Sequence, residues 1–93
     1  MSDGDPAARP AELGGSFEMF VTRLGIQALI ALGVIENPAT GERSVNEVQA
    51  RMLESDLEML REKTLGNLED AEAAKLDEVL EGVRARLAEI AEA

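Results

Sequence analysis

Between Ser16 and Gly33 the apolar residues fall on two opposite sides of one helix. At about 100° per residue, Phe17, Phe20, Val21, Leu24, Ala28, Ala31 and Leu32 share one face. Met19, Ile26, Leu29 and Ile30 lie on the other. Glu18 and Thr22 form one polar seam between them, and Arg23 and Gln27 form the second. A surface helix normally carries a single apolar stripe. Two stripes describe a helix held between two partners, so Met19, Ile26, Leu29 and Ile30 are the candidate interface residues. Ser16 is a good N-cap and Gly33 a good left-handed C′ residue, which predicts a helix over 16–33. Gly25 costs about 1 kcal/mol of helix propensity against Ala. Its expected use is a close backbone approach beside Ala28.

The stretch ENPATGER, residues 36–43, reads as an interhelical turn. Pro38 presets φ, Asn37 before it is pushed extended, and Gly41 can take a positive φ. Thr40-Gly41 lacks the glycine spacing and the lysine of a phosphate-binding loop. Ser44 to Glu47 has the form of a capping box, and the second helix is predicted over 45–65 with Ser44 as its cap. Val45, Val48, Met52, Leu53, Leu57, Met59 and Leu60 cover nearly half its circumference. Gln49, Asp56 and Lys63, spaced by seven, draw a polar line through that arc. The line either fixes a buried register or divides two separate contacts while staying in water. The second reading is favoured, because a net-neutral trio without histidine makes a poor site.

A third helix is predicted over 70–91. Leu76, Leu80, Val83, Leu87 and Ile90 recur at steps of four and three, a heptad seam joined by Val79. Glu81 is spaced to pair with Arg84. Between the last two helices, Gly66 is expected in the left-handed conformation. Asn67 is expected to cap the third helix, and Leu68 to tuck the turn onto the core. Lys63 and Thr64 suit the exposed carbonyls at the end of helix two. Residues 1–15 combine Pro6, Pro10, Gly4, Gly14 and Gly15 with scattered charge and contain no apolar run. They read as a disordered tail without a secretory signal. The fold class is therefore all-α: three helices after that tail, in one domain over 16–93, paired into a homodimeric helical bundle.

Composition removes most chemistry. The 93 residues include no Cys, His, Trp or Tyr. Thiol chemistry, zinc binding through Cys or His and imidazole catalysis are excluded. The formal charge of -10 repels phosphate backbones and anionic lipid. Nucleic acid is not an expected partner, whereas a basic protein is. Glu18, Arg23 and Gln27 interrupt the first helix, so membrane insertion is not expected either. The carboxylates Glu69, Asp70, Glu72, Asp77 and Glu78 lack the spacing and the turn glycine of a calcium loop. They match the positive dipole at a helix start instead. No catalytic residue, cofactor or metal site is assigned, and the chain is read as non-enzymatic. A cytoplasmic setting fits the absence of Cys.

The segment GIQALIALGVIENPATGER, with the later Ala-Arg and EKTLGNLE, resembles the small bacterial family known as domain of unknown function 1844. In that family an apolar helix ends in Leu-Gly, here Leu32-Gly33. A proline-containing turn ending in Gly comes next, here Pro38 to Gly41. A second helix closes on Lys-Thr-x-Gly-Asn-Leu, here Lys63-Thr64-Leu65-Gly66-Asn67-Leu68 and the most specific part of the likeness. The chain departs from the pattern at Glu54-Ser55, where Ile-Asp is frequent, and at Glu69-Asp70, where Thr-Pro is frequent. The resemblance implies a bacterial helical protein without an assigned activity and with a link to translation. An alternative class is the acyl carrier protein, also small, acidic and helical. The fragment Ser55-Asp56-Leu57 inverts the order of the carrier motif, and it falls within a predicted helix rather than at its start.

The excess of negative charge gives a direct test. Self-repulsion is screened by salt, so thermal stability should rise from low salt to about 0.15 M, where the Debye length is ~8 Å. A melting temperature that stays flat or falls over that range would show that the carboxylates are better paired than the sequence implies.

Overall fold

The computed structural model describes residues 16–92, so the reading of residues 1–15 as a tail lies outside the described residues. Three helices occur in order: α1 (Phe17–Ala31), α2 (Glu47–Lys63) and α3 (Asp70–Glu92). Each packs against the other two. The core is wholly aliphatic. Val21, Ala28, Ala31 and Leu32 come from α1 and its C-terminal cap, and Ala50, Leu53 and Leu57 from α2. The α3 seam adds Leu76, Leu80, Val83 and Leu87, with Ile90 packed at its edge.

The ends of α1 form as the sequence predicts. The Ser16 hydroxyl accepts from the Met19 N–H at 3.3 Å. Gly33 turns the chain out of the helix at φ 74°. Gly25 faces α3: a Cβ there would stand 3.2 Å from Val79 Cγ1. The neighbour is a Val79 side chain on α3, not the backbone that the sequence reading expects to approach beside Ala28. Phe20 departs from the expected face and is 41% exposed. Its ring lies under the Arg23 guanidinium, 5.9 Å from the centroid. Phe20 stands at the edge of the buried arc, whereas Phe17 packs against the core.

The connection from α1 to α2 is more ordered than a plain turn. It doubles back through two isolated antiparallel bridges, Leu32 with Val45 and Asn37 with Glu42. Within it the Asn37 Oδ1 accepts from the Ala39 N–H at 2.8 Å, and the Asn37 carbonyl accepts from the Gly41 N–H at 2.7 Å. Gly41 takes φ 72°. This pairing displaces the start of α2. The Asn46 N–H donates to the Ala31 carbonyl at 2.7 Å, which keeps the chain extended past Ser44. Asn46, not Ser44, is therefore the cap, its Oδ1 accepting from the Gln49 N–H at 3.1 Å. A capping box at Ser44 would require that residue to stand at the helix boundary, and the bridge at Val45 prevents it.

The reversal between α2 and α3 is centred on Gly66 at φ 80°. The Thr64 hydroxyl donates to the Leu60 carbonyl at 2.7 Å, which also accepts the Thr64 N–H at 3.1 Å, so both groups of the cap residue hold the helix end. Leu68 packs against the core as expected. Asn67 does not cap α3. Its N–H donates to the Thr64 carbonyl at 2.9 Å, within the turn. The helix starts after Glu69, whose N–H is accepted by the Glu72 carboxylate at 2.9 Å. Two further residues of turn separate Asn67 from the helix, which puts the first helical N–H groups beyond it.

Ion pairs cross between α2 and α3. Arg84 reaches Glu54 at 3.1 Å and also pairs with Glu58. Arg61 reaches Asp77 at 3.2 Å. The expected local pair of Arg84 with Glu81 is replaced by these, because α2 presents two carboxylates one turn apart. Such partly exposed pairs contribute roughly 0–1 kcal/mol each.

The glycines separate two costs. Gly66 needs only its left-handed φ, since an added Cβ meets nothing within 4 Å. At Gly33 an added Cβ would also stand 3.0 Å from Val45 Cγ2. Gly66→Ala should cost about 1–2 kcal/mol, as is usual for a left-handed L-residue. Gly33→Ala should cost more, because it also presses on the bridge to Val45. Equal losses in denaturant melts would mean that the bridge adds no constraint.

Candidate interaction surface

Burial on α1 separates its two faces. Val21 and Ala28 are fully buried, while Met19 is 39% and Ile26 46% exposed. Leu29 and Ile30 are half-buried. α2 and α3 cover one face of α1, and Met19 and Ile26 remain on its outer side. The sequence pattern identified these residues, and their placement reflects the 3.6-residue period.

Beside Ile26 a groove of about 380 Å³ runs between α1 and α3. Gly25 and Leu29 line it from α1, Val79 and Gly82 from α3, and Lys75 and Arg86 stand along it. Gly82 drew no attention in the sequence. It sits inside a helix without a positive φ, and an added Cβ there would meet nothing within 4 Å. Glycine at such a position sacrifices about 1 kcal/mol relative to Ala. Among the described residues no packing accounts for it. The sequence signal was the lone glycine within an otherwise strong helical pattern.

α2 carries a second exposed apolar strip. Val48 is 73%, Met52 60% and Met59 49% exposed, although the sequence grouped them with the buried Leu53 and Leu57. Val45, also assigned to that arc, lies in the connection and is 56% exposed. The reason is geometric: α1 and α3 together cover only the side carrying Ala50, Leu53 and Leu57. Gln49, Asp56 and Lys63 are all exposed and run between the core side and this strip. The polar line thus divides two apolar surfaces and stays in water, as the favoured reading holds.

The turn residues serve the fold. Pro38 and Gly41 shape the first connection, and Thr64, Gly66 and Asn67 shape the second, with Lys63 exposed beside them. Leu65, within the second turn, is 83% exposed, and no contact explains it. Ser55 stands in the middle of α2, not at a helix start. Among the described residues no three carboxylates converge as a metal site. Glu72 is engaged by the Glu69 N–H and Asp77 by Arg61. No described helix is long and apolar enough to cross a membrane.

No curated protein and no solved structure matches the chain. A family model described as Domain of unknown function (DUF1844) matches residues 15–89, the span that holds all three helices up to the last turn of α3. The chain belongs to this family of proteins, which is defined by its sequence and carries no assigned activity.

Proposed function

We propose that this protein is a non-enzymatic interaction module that works as a homodimer, joined through the outer face of α1. The observation that carries the reading is the juxtaposition of a knob and a hole. Ile26 projects from α1, 46% exposed, on the rim of a groove that it lines together with Gly25 and Gly82, and the bare Gly82 leaves space there. A two-fold axis passing near Ile26 lets each copy place its Ile26 in the groove of the other. Two-fold contacts between identical surfaces are the commonest solution for such patches. Met19, Leu29 and Ile30 extend the same apolar surface. Residues 1–15 offer no apolar run with which to cover it. A chain of this size buries only about 60–65% of its unfolded surface, so pairing adds core where it is short.

The remaining surface is acidic, with 19 Asp and Glu against 9 Lys and Arg over the chain. A dimer doubles that field and favours a basic protein partner over bare nucleic acid. The translation link implied by the family resemblance is compatible with such a partner, because a basic protein offers the charge that RNA lacks.

Two substitutions test the reading from opposite sides. Ile26→Asp puts a charge on the knob and should remove the α1 contact, lowering the mass seen by light scattering below that of the unaltered chain. Gly82→Leu fills the hole while improving helix propensity by up to about 1 kcal/mol. It should weaken the dimer while leaving the monomer's helicity intact. If both variants associate like the unaltered chain, the interface lies elsewhere.

A further inference from the structure

We infer that the exposed strip of α2 is a second self-association surface, on which two copies pair as a short parallel coiled coil. Val48, Met52, Ser55 and Met59 are spaced by four, three and four. This is the d-a-d-a rhythm of a two-stranded seam. The strip lies across the polar line from the core, and its three apolar members are each about half exposed or more. The core-facing Ala50, Leu53 and Leu57 fall at f, b and f of the same heptad frame, so core and seam occupy different sides of one helix.

The flanking charges identify the occupant and its direction. In this frame Arg51 and Glu58 hold g positions, and Asp56 and Lys63 hold e positions. Parallel strands bring each g residue to the e residue five positions on in the partner. Arg51 then faces Asp56 of the second copy, and Glu58 faces Lys63. Both pairs are of opposite sign, and the two-fold axis repeats each of them. With the helices overlapped, antiparallel pairing opposes g to g and e to e; its best register sets Arg51 against Glu58 and leaves Asp56 against Gln49, so two opposite-charge pairs form where the parallel register forms four. Arg51 already meets Glu47 at 2.9 Å, and Glu58 already meets Arg84. Arg51 is thus oriented by a neighbour on α2 and Glu58 by one on α3 before a partner arrives. Ser55 at a d position makes the seam weaker than a fully apolar one, which suits reversible association. This pairing depends on α2 alone. With an α1 interface as well, two separate two-fold contacts on one chain join copies into assemblies larger than dimers.

The absence of Cys from the chain makes the test direct. Val48→Cys places a lone thiol at the d position nearest the start of α2. Parallel pairing sets it against its counterpart within disulfide reach, whereas antiparallel pairing separates the two by more than ~15 Å. The experiment is run in the full chain and in the Ile26→Asp background, with Glu81→Cys on α3 as the control for random collision. In both backgrounds Val48→Cys should cross-link to a dimer under mild oxidation much faster than Glu81→Cys. A Val48→Cys rate no greater than the control would overturn the proposal. Loss of the α1 dimer alone leaves this result unchanged, so the two interfaces fail separately. Charge exchange supplies the second arm. Arg51→Glu should weaken α2 association roughly tenfold or more by opposing two acids, and adding Asp56→Arg should restore it. No rescue by the double variant would exclude the parallel register.

Discussion

The seam of α3 is the surface that both other helices share, and the fold depends on it. Leu76, Leu80, Val83 and Leu87 present one continuous aliphatic strip along the longest helix. α1 adds Val21, Ala28 and Ala31 to the same buried core, and α2 adds Ala50, Leu53 and Leu57, so three of the six are alanines. Gly25 extends the same logic, since its missing side chain is what lets Val79 lie against α1. With only two aromatic residues in the chain, both on α1, the interior cannot be filled by large rings. Close approach of small and branched side chains takes their place, and each lost methylene or added methyl is felt accordingly.

The thin core also shapes the surface. A three-helix unit of this kind buries one side of α1 and one side of α2. The opposite sides keep Met19, Ile26, Val48, Met52 and Met59 in contact with water. The polar line of Gln49, Asp56 and Lys63 marks where the interior of α2 ends. Gly82 is informative here because, among the described residues, nothing stands within 4 Å of where its Cβ would be. A helix interior that gives up propensity without a close neighbour of its own is consistent with a neighbour from another molecule. The acidic remainder of the surface keeps copies apart except where apolar contact outweighs repulsion, which favours defined pairing over nonspecific clustering.

Much of this was legible from periodicity. The two faces of α1 and the α3 seam come directly from the spacing of apolar residues, and Gly33, Gly41 and Gly66 all take the positive φ that their positions imply. What escaped the sequence was set by contacts between distant residues. Ser44 has the chemistry of a cap, yet the Asn46 N–H is claimed by the Ala31 carbonyl and the helix starts later. Arg84 has Glu81 within reach on its own helix, yet two carboxylates on α2 hold it instead. Phe20 lies at the edge of the apolar arc of α1, where the neighbouring helices no longer cover it. The apolar arc of α2 was too wide because periodicity reports which residues share a side, and only packing decides how much of that side a neighbour covers.

The central claim is that the outer face of α1 is covered by a second copy of the chain. Sedimentation equilibrium of the unaltered protein beside Ile26→Asp tests this most directly. At ~100 μM, well above a micromolar dissociation constant, the unaltered chain should give a mass of at least twice the 10.0 kDa of one chain and Ile26→Asp a lower one, which is the predicted result. A single species at 10.0 kDa under those conditions would contradict it and leave Met19 and Ile26 as an uncovered face of a monomer.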